Sequence, residues 1–256
     1  MKIGAYQFAV SGDMERNFQT MKQAIVRVAQ RGVRVLAFPE CALTGYPPRD
    51  IASSAMVDFE KVRACCDEFA RLSSQHEIYI IAGSITEDMG KYYNSAVVFS
   101  PDGERMIYNK RALWGWDRDN FCPGNECCVI EIDGVKIGIR ICFEVRFPEY
   151  FRELYRENTD LNIILFYDVS EWDDAGRYDL IKGHIRTRAV ENVCCTLSVD
   201  AISPYQTAPT GLYDMSGGIV CELDRNQEDL LVYDFHAAEM DFGERGRKEI
   251  SDILVK

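Results

Sequence analysis

Histidine is scarce in this chain: three in 256 residues, at His76, His184 and His236, far apart in sequence. No C-x-x-C spacing occurs either. A compact zinc site is therefore not expected, and only ligands scattered along the chain would leave room for a metal. Basic runs are missing too. Lys and Arg number 29 against 41 Asp and Glu, a net charge of -12, so a nucleic-acid backbone would be repelled overall. An acidic surface of this kind reads as solubility. Long apolar runs are absent: the first, "IGAYQFAV", is too short for a signal segment and holds a Gln, and no later one could span a bilayer. The expectation is a cytoplasmic protein with neither a membrane nor a nucleic acid as partner. With no linker, low-complexity segment or fixed-period repeat, one domain is expected over residues 1–256.

What the chain has in number is cysteine, ten in all, with adjacent pairs at Cys65-Cys66, Cys127-Cys128 and Cys194-Cys195. Neighbours in a strand point to opposite faces, so each pair is poorly placed to bridge or to share a ligand. Most of these thiols read as core filler in a reducing compartment. Strands and helices alternate along the chain. "KIGAYQFAV" opens as a strand, and Phe18, Met21, Ile25 and Val28 then mark one face of a helix that stops near Gly32. "VRVLAFPE" reads as a buried strand, followed by a helix from Met56 to Ser74 and the strand "EIYIIAGS". Two Asp-Gly turns sit inside "SAVVFSPDGERMIYN" and "CCVIEIDGVKIGIRIC" and predict hairpins. Helices at Pro148–Glu157 and Arg177–Asn192 flank the strand "LNIILFY", with "CCTLSVDA" after them. "TGLYDMSGGIVCEL", "DLLVYDF" and a short polar helix at Glu244–Arg247 complete the chain. This mixture predicts an α/β layered sandwich, helices outside and sheets inside. Function in such folds gathers beyond the carboxyl ends of strands.

One such end is unusual. In "IGIRICFEVRFPEY" an apolar strand runs into Cys142 and turns within a few residues into a proline-started helix. A cysteine there is either a small buried hydrophobe or a nucleophile exposed beside outward-pointing backbone amides. A nucleophilic thiol needs a base or a cation nearby, because its ordinary pKa of ~8.5 leaves it mostly protonated at neutral pH. No histidine sits at a comparable strand end, which also argues against a Cys-His peptidase. A carboxylate with a lysine would serve instead, and Glu40, ending "LAFPE", and Lys110, ending "MIYNK", are placed for those parts. Taken singly, either residue reads more simply as a solvated surface charge.

Together, "FPE" with "LTGYPP", "NKRAL" and "ICFEVRFPE" resemble the signatures of the nitrilase superfamily, the carbon-nitrogen hydrolases. "GDMERNF", "AGSITE", "YYNSAVVFSPDGE", "FCPG", "HIRTRAVEN" and "TGLYDMSGG" follow the same pattern in order over almost the whole chain. The resemblance implies a four-layer αββα sandwich and an active site without metal or organic cofactor. It implies Cys142 as nucleophile, Glu40 as general base and Lys110 as oxyanion stabiliser, with the backbone N–H of Phe143 as a second donor. It also implies a thioester intermediate and a homodimer or higher homo-oligomer, paired through the helices at 148–157 and 177–192.

Departures from the pattern fall close to these residues. The family's second Glu aligns with Asp117 in "WDRDNFCPG", one methylene shorter, with Asp119 as another candidate. Phe143 and Glu144 stand where Tyr and Asp are usual, and Ala112 replaces a common His. Aromatic residues expected at the pocket are Tyr46, Trp114, Trp116, Phe143, Tyr167 and Trp172, a lining suited to a small molecule with an apolar body and an amide head. Arg146 and Glu149 read as structural ties of the corner. The activity expected is that of an amidase releasing ammonia from a small carboxamide. An N-carbamoyl-amine hydrolase is the near alternative, and a catalytically weak ligand-binding homologue the reading of a different class.

Overall fold

The structure, a computed structural model, describes residues 1–237 and 239–255. The first half runs β1 (Lys2–Gln7), α1 (Met14–Ala29), β2 (Val35–Ala37), α2 (Phe59–His76), β3 (Tyr79–Asp88), β4 (Lys91–Phe99), β5 (Arg105–Asn109) and the one-turn α3 (Asp117–Asn120). It continues through β6 (Val129–Ile132), β7 (Val135–Ile141), α4 (Pro148–Arg156), β8 (Leu161–Leu165), β9 (Val169–Ser170) and α5 (Ala175–Asn192). The last elements are β10 (Cys195–Val199), β11 (Tyr205–Gln206), β12 (Gly211–Tyr213), β13 (Ile219–Glu222), β14 (Asp229–Asp234) and α6 (Phe242–Leu254).

Two six-stranded sheets form, ordered β14-β1-β2-β3-β4-β5 and β13-β12-β10-β8-β7-β6. Side-chain alternation along the strands sorts the core into three apolar layers. On β7, Ile137, Ile139 and Ile141 face the first sheet and pack with Ile3, Ala5 and Val98. The first sheet's other face, with Tyr6, Phe38 and Ile80, meets Phe18, Met21 and Ile25 of α1 and Phe69 of α2. The second sheet's outer face packs Ile164 against Phe151 and Leu154 of α4 and Ile181 and Ile185 of α5. The result is the expected αββα order. Gly138 makes the α4 approach possible, since a Cβ there would lie 2.7 Å from Leu154. Among the described residues, no helix is long and apolar enough to cross a membrane, and all ten cysteines are free.

Several boundaries differ from those expected. The second helix begins three residues late, at Phe59, because the Asp58 carboxylate caps the N–H groups of Glu60 and Lys61. "VRVLAFPE" keeps only three ladder residues, Val35–Ala37, as Pro39 has no N–H to extend the pairing. β3 and β4 reach further than read, joined by a turn at Met89 and Gly90, both with positive φ. The C-terminal helix spans Phe242–Leu254 rather than Glu244–Arg247, and an Asp241–Glu244 capping box starts it.

Candidate active site

β2, β5 and β7 end at the same edge of the sandwich, and the residues that follow them meet there. Glu40 lies in the loop after β2, fully buried. Its Oε1 accepts hydrogen bonds from Asn94 Nδ2 at 2.6 Å and Lys110 Nζ at 2.8 Å. Its Oε2 accepts the backbone N–H of Tyr167 at 2.8 Å. Gly83 makes room for this loop: a Cβ there would stand 2.0 Å from the Pro39 carbonyl oxygen and 2.7 Å from the Glu40 Cα. Lys110, one residue past β5, is 2% exposed. Its backbone N–H donates to the Asn94 carbonyl at 2.8 Å, so Asn94 holds the carboxylate by its side chain and the lysine by its main chain.

Asp117, the first residue of α3, closes the set. Its Oδ2 accepts from Lys110 Nζ at 2.7 Å and from the Trp114 N–H at 3.2 Å, and its Oδ1 accepts the Tyr46 hydroxyl at 2.6 Å. Tyr46 stacks on Tyr167 with centroids 4.9 Å apart, which fixes the ring that fixes the aspartate. Burial raises the Tyr46 hydroxyl pKa, so it remains a hydrogen-bond donor. Asp119, the other candidate, is exposed.

Cys142 is the first residue of a 3-10 turn, Cys142–Arg146, that leaves β7. Its φ of 44° lies in the left-handed region, a strain on the order of 1–3 kcal/mol that persists only where the surroundings impose it. Glu144 imposes it. Its Oε2 accepts the Ile141 N–H at 2.7 Å, and its Oε1 accepts both the Arg111 N–H and the Tyr108 hydroxyl, each at 2.7 Å. One buried carboxylate thus ties the cysteine corner to the chain just past Lys110.

Electrostatics follow from burial. Desolvation pushes the Cys142 thiol well above its ordinary range, Glu40 adds to the rise, and Lys110 opposes it. The resting sulfur is a neutral thiol. Burial also raises Glu40, against the pull of Lys110. Burial works against the Lys110 charge, but Glu40 and Asp117 outweigh it and carry its pKa well above that of a free lysine.

A cavity of about 300 Å³ opens over these groups, with Lys110, Asp117 and Cys142 among its lining. Tyr46, Trp114, Trp116, Phe143 and Tyr167 line it as expected. Trp172 does not. The chain bends away after β9, and Trp172 stands 65% exposed on the surface. Arg146 is not a tie of the corner either, since it lines the cavity. Sequence reasoning missed Asn94, Asp168 and Arg177. Asn94, a lone amide within an apolar strand, was the one with a visible signal. No group of three or more His, Cys, Asp or Glu suited to a metal occurs among the described residues.

Residues 2–242 match the carbon-nitrogen hydrolase family model. The chain belongs to this family. It is 29% identical over 160 residues to "Omega-amidase NIT2" of Xenopus tropicalis, covering 58% of this chain and 56% of that protein. It is 28% identical over 165 residues to an "(R)-stereoselective amidase" of Pseudomonas sp, covering 64% and 59%. The chain thus spans little more than half the length of these relatives. A solved variant of the amidase from Nesterenkonia sp. AN1, with an acetamide moiety covalently on its active-site cysteine, has the same fold. That likeness has a TM-score of 0.82 at 22% identity and covers 99% of this chain and 97% of that one.

Proposed function

We propose that this carbon-nitrogen hydrolase is an amidase of small linear carboxamides, acting through a thioester on Cys142 and releasing ammonia. The observation that carries the reading is the closed hydrogen-bond set of Glu40, Lys110 and Asp117 at the floor of the Cys142 cavity. Counting donors and acceptors assigns the parts. An ammonium has three N–H donors. Glu40 and Asp117 take two of those of Lys110, which leaves one for the oxygen of a substrate carbonyl. Glu40 Oε1 carries two hydrogen bonds and Oε2 one, so Oε2 keeps a lone pair for a proton.

Because the thiol rests neutral, attack needs a base. Glu40 takes the Cys142 proton as sulfur bonds to the amide carbon, and the carbonyl electrons move to oxygen. Lys110 Nζ and the Phe143 N–H receive the oxyanion. Its collapse breaks the carbon-nitrogen bond while protonated Glu40 gives its proton to nitrogen, and ammonia leaves. Glu40 then takes a proton from water as the hydroxyl oxygen adds to the thioester. The second collapse expels sulfur, which recovers the proton from Glu40, and the acid departs.

Intact-protein mass spectrometry during turnover of a mixed amide panel tests this. The expected result is an acyl increment on wild-type protein, absent from Cys142→Ala, with ammonia as co-product. Carbon dioxide released beside ammonia would instead mark a carbamoyl-amine hydrolase. Turnover by Cys142→Ala at a tenth of the wild-type rate would remove Cys142 as the nucleophile.

A further inference from the structure

Glu40 Oε1 is met from β4 by Asn94, whose side-chain nitrogen donates to it at 2.6 Å. A carboxylate can only accept, so the amide must turn its nitrogen to Glu40 and its oxygen away. That oxygen is buried, and no described residue donates to it. A buried acceptor without a partner is costly, and asparagine is a poor strand residue where valine or isoleucine would suit. Asn94 nonetheless sits within β4 at 1% exposure, opposite Ile85 of β3, with its carbonyl accepting the Lys110 N–H at 2.8 Å. What the position gains is the side-chain nitrogen.

We propose that Asn94 is a positioning residue for the proton transfers: its amide clamps Glu40 Oε1, so that Oε2 carries the proton between Cys142, the leaving nitrogen and the incoming water. This rests on the amidase reading above, in which Glu40 is the base. Lys110 also donates to Oε1, at 2.8 Å, but its ammonium is shared with Asp117 and must serve the oxyanion as charge develops there. The Asn94 amide has no other partner among the described residues. Its neutrality matters as well. A second cation in its place would hold the carboxylate too low to take a proton from a thiol, whereas an amide fixes the oxygen with a smaller pull. Because the same residue seats Lys110 by its main chain, base and oxyanion donor share one rigid support.

Burial raises the Glu40 pKa, and the Asn94 hydrogen bond pulls against that rise beside Lys110. The other titratable groups acting around Glu40 are Cys41 and Tyr46 of its own loop, Asp117 of α3, Cys142 after β7 and Asp200 after β10. A neutral substitution at Asn94 changes none of those charges. Glu40 works as a carboxylate, so losing the Asn94 donor should move the acid limb of kcat/KM to higher pH.

The test uses the full chain carrying Asn94→Val, which removes the donor and the orphan acceptor together, or Asn94→Asp, which keeps the size but sets a carboxyl against Glu40. Each is assayed on the best carboxamide of the panel and on the p-nitrophenyl ester of the same acid, whose leaving group needs no proton. Asn94→Val should melt near wild type, lower kcat on the amide about 10- to 100-fold with KM little changed, and lower it less on the ester. Its acid limb should rise by about 1–2 pH units on both substrates. Asn94→Asp should raise the limb further, because two facing carboxyls share a proton. An acid limb that stays at the wild-type pH in both variants, with amide and ester slowed alike, overturns the proposal and leaves the amidase reading standing. Wild-type protein that releases no ammonia from any amide would sink the amidase reading, and the acid limb on the ester would still decide the part of Asn94.

Discussion

Asp117→Asn is the sharpest probe of the buried charge set, because it changes one charge and almost no volume. The asparagine amide nitrogen can take the place of Oδ1 toward Tyr46, whose hydroxyl can turn to accept, and its oxygen can stay on Lys110. The variant should therefore fold. It removes the charged half of a 2.7 Å contact to Lys110 Nζ. A hydrogen bond to a charged group is worth about 1.5–3 kcal/mol, so if Asp117 orients Lys110 for the oxyanion, kcat should fall about 10- to 150-fold with a smaller change in KM. A second readout separates orientation from mere packing. Glu40 must be a carboxylate to act as base, so activity is lost as pH falls through its pKa. That pKa is raised, first by burial, with the Asp117 charge also pushing it up. Neutralising Asp117 should move the acid limb of the kcat/KM profile to lower pH. Asp117→Glu should also lose activity: both oxygens are already engaged in a buried site, and one extra methylene there costs about 1–3 kcal/mol. Stopped or coupled ammonia assays across pH measure all of this. A kcat within threefold of wild type together with an unmoved acid limb would leave Asp117 a structural residue.

Gly83→Ala should depress kcat/KM about a hundredfold, since its Cβ would fall 2.0 Å from the Pro39 oxygen and force the Glu40 loop aside; near-wild-type kinetics would show the loop has slack. Glu144→Gln should lower the melting temperature by roughly 2–10 °C, because its NH₂ must face the N–H of either Arg111 or Ile141, and an unsatisfied buried donor costs about 1–3 kcal/mol. An unchanged melt would mean that the corner is held by other contacts. Sedimentation should give a species heavier than the 29.2 kDa monomer at micromolar concentration, through α4 and α5, and a single peak at the monomer mass would refute that.

The architecture was legible because its signals are local. Apolar alternation in "IGIRI", Asp-Gly turns and a proline at the head of α4 each name an element without reference to the rest. The boundaries that slipped depended on a cap or on a partner strand: Asp58 for α2, and β4 as the mate that keeps the polar end of β3 in a ladder. Glu40, Lys110 and Cys142 stood out because each follows a strand, and β2 and β5 of one sheet and β7 of the other deliver their ends to one place. Asp117 was visible only through alignment of a loop. Trp172 shows the limit of composition, since an aromatic residue near a site can as easily leave it, and here a bend after Ser170 carries it outward. Asp168 and Arg177 gave no local signal, because their meaning lies in a contact between the chain after β8 and the first turn of α5.

Burying Glu40, Lys110 and Asp117 together costs the fold several kcal/mol per ion before their mutual attraction offsets it. A better-packed apolar floor would be more stable, so the arrangement is explained by what the charges do rather than by what they hold. The two acids keep the lysine charged where burial would discharge it, and burial, with Asp117 adding to it against the pull of Lys110, raises Glu40 toward the pH at which a base can both take and return a proton. Burial first, and the Glu40 charge after it, keep Cys142 a thiol, so the sulfur is quiet until a carbonyl stands over Lys110 and the proton has somewhere to go. Reactivity is then conditional on an amide being in place. An uncoupled thiolate would alkylate readily near neutral pH, whereas this thiol should react slowly with iodoacetate and faster with a neutral haloacetamide that resembles the substrate's head. Comparable rates for the two reagents would show that the sulfur is not guarded by its neighbours.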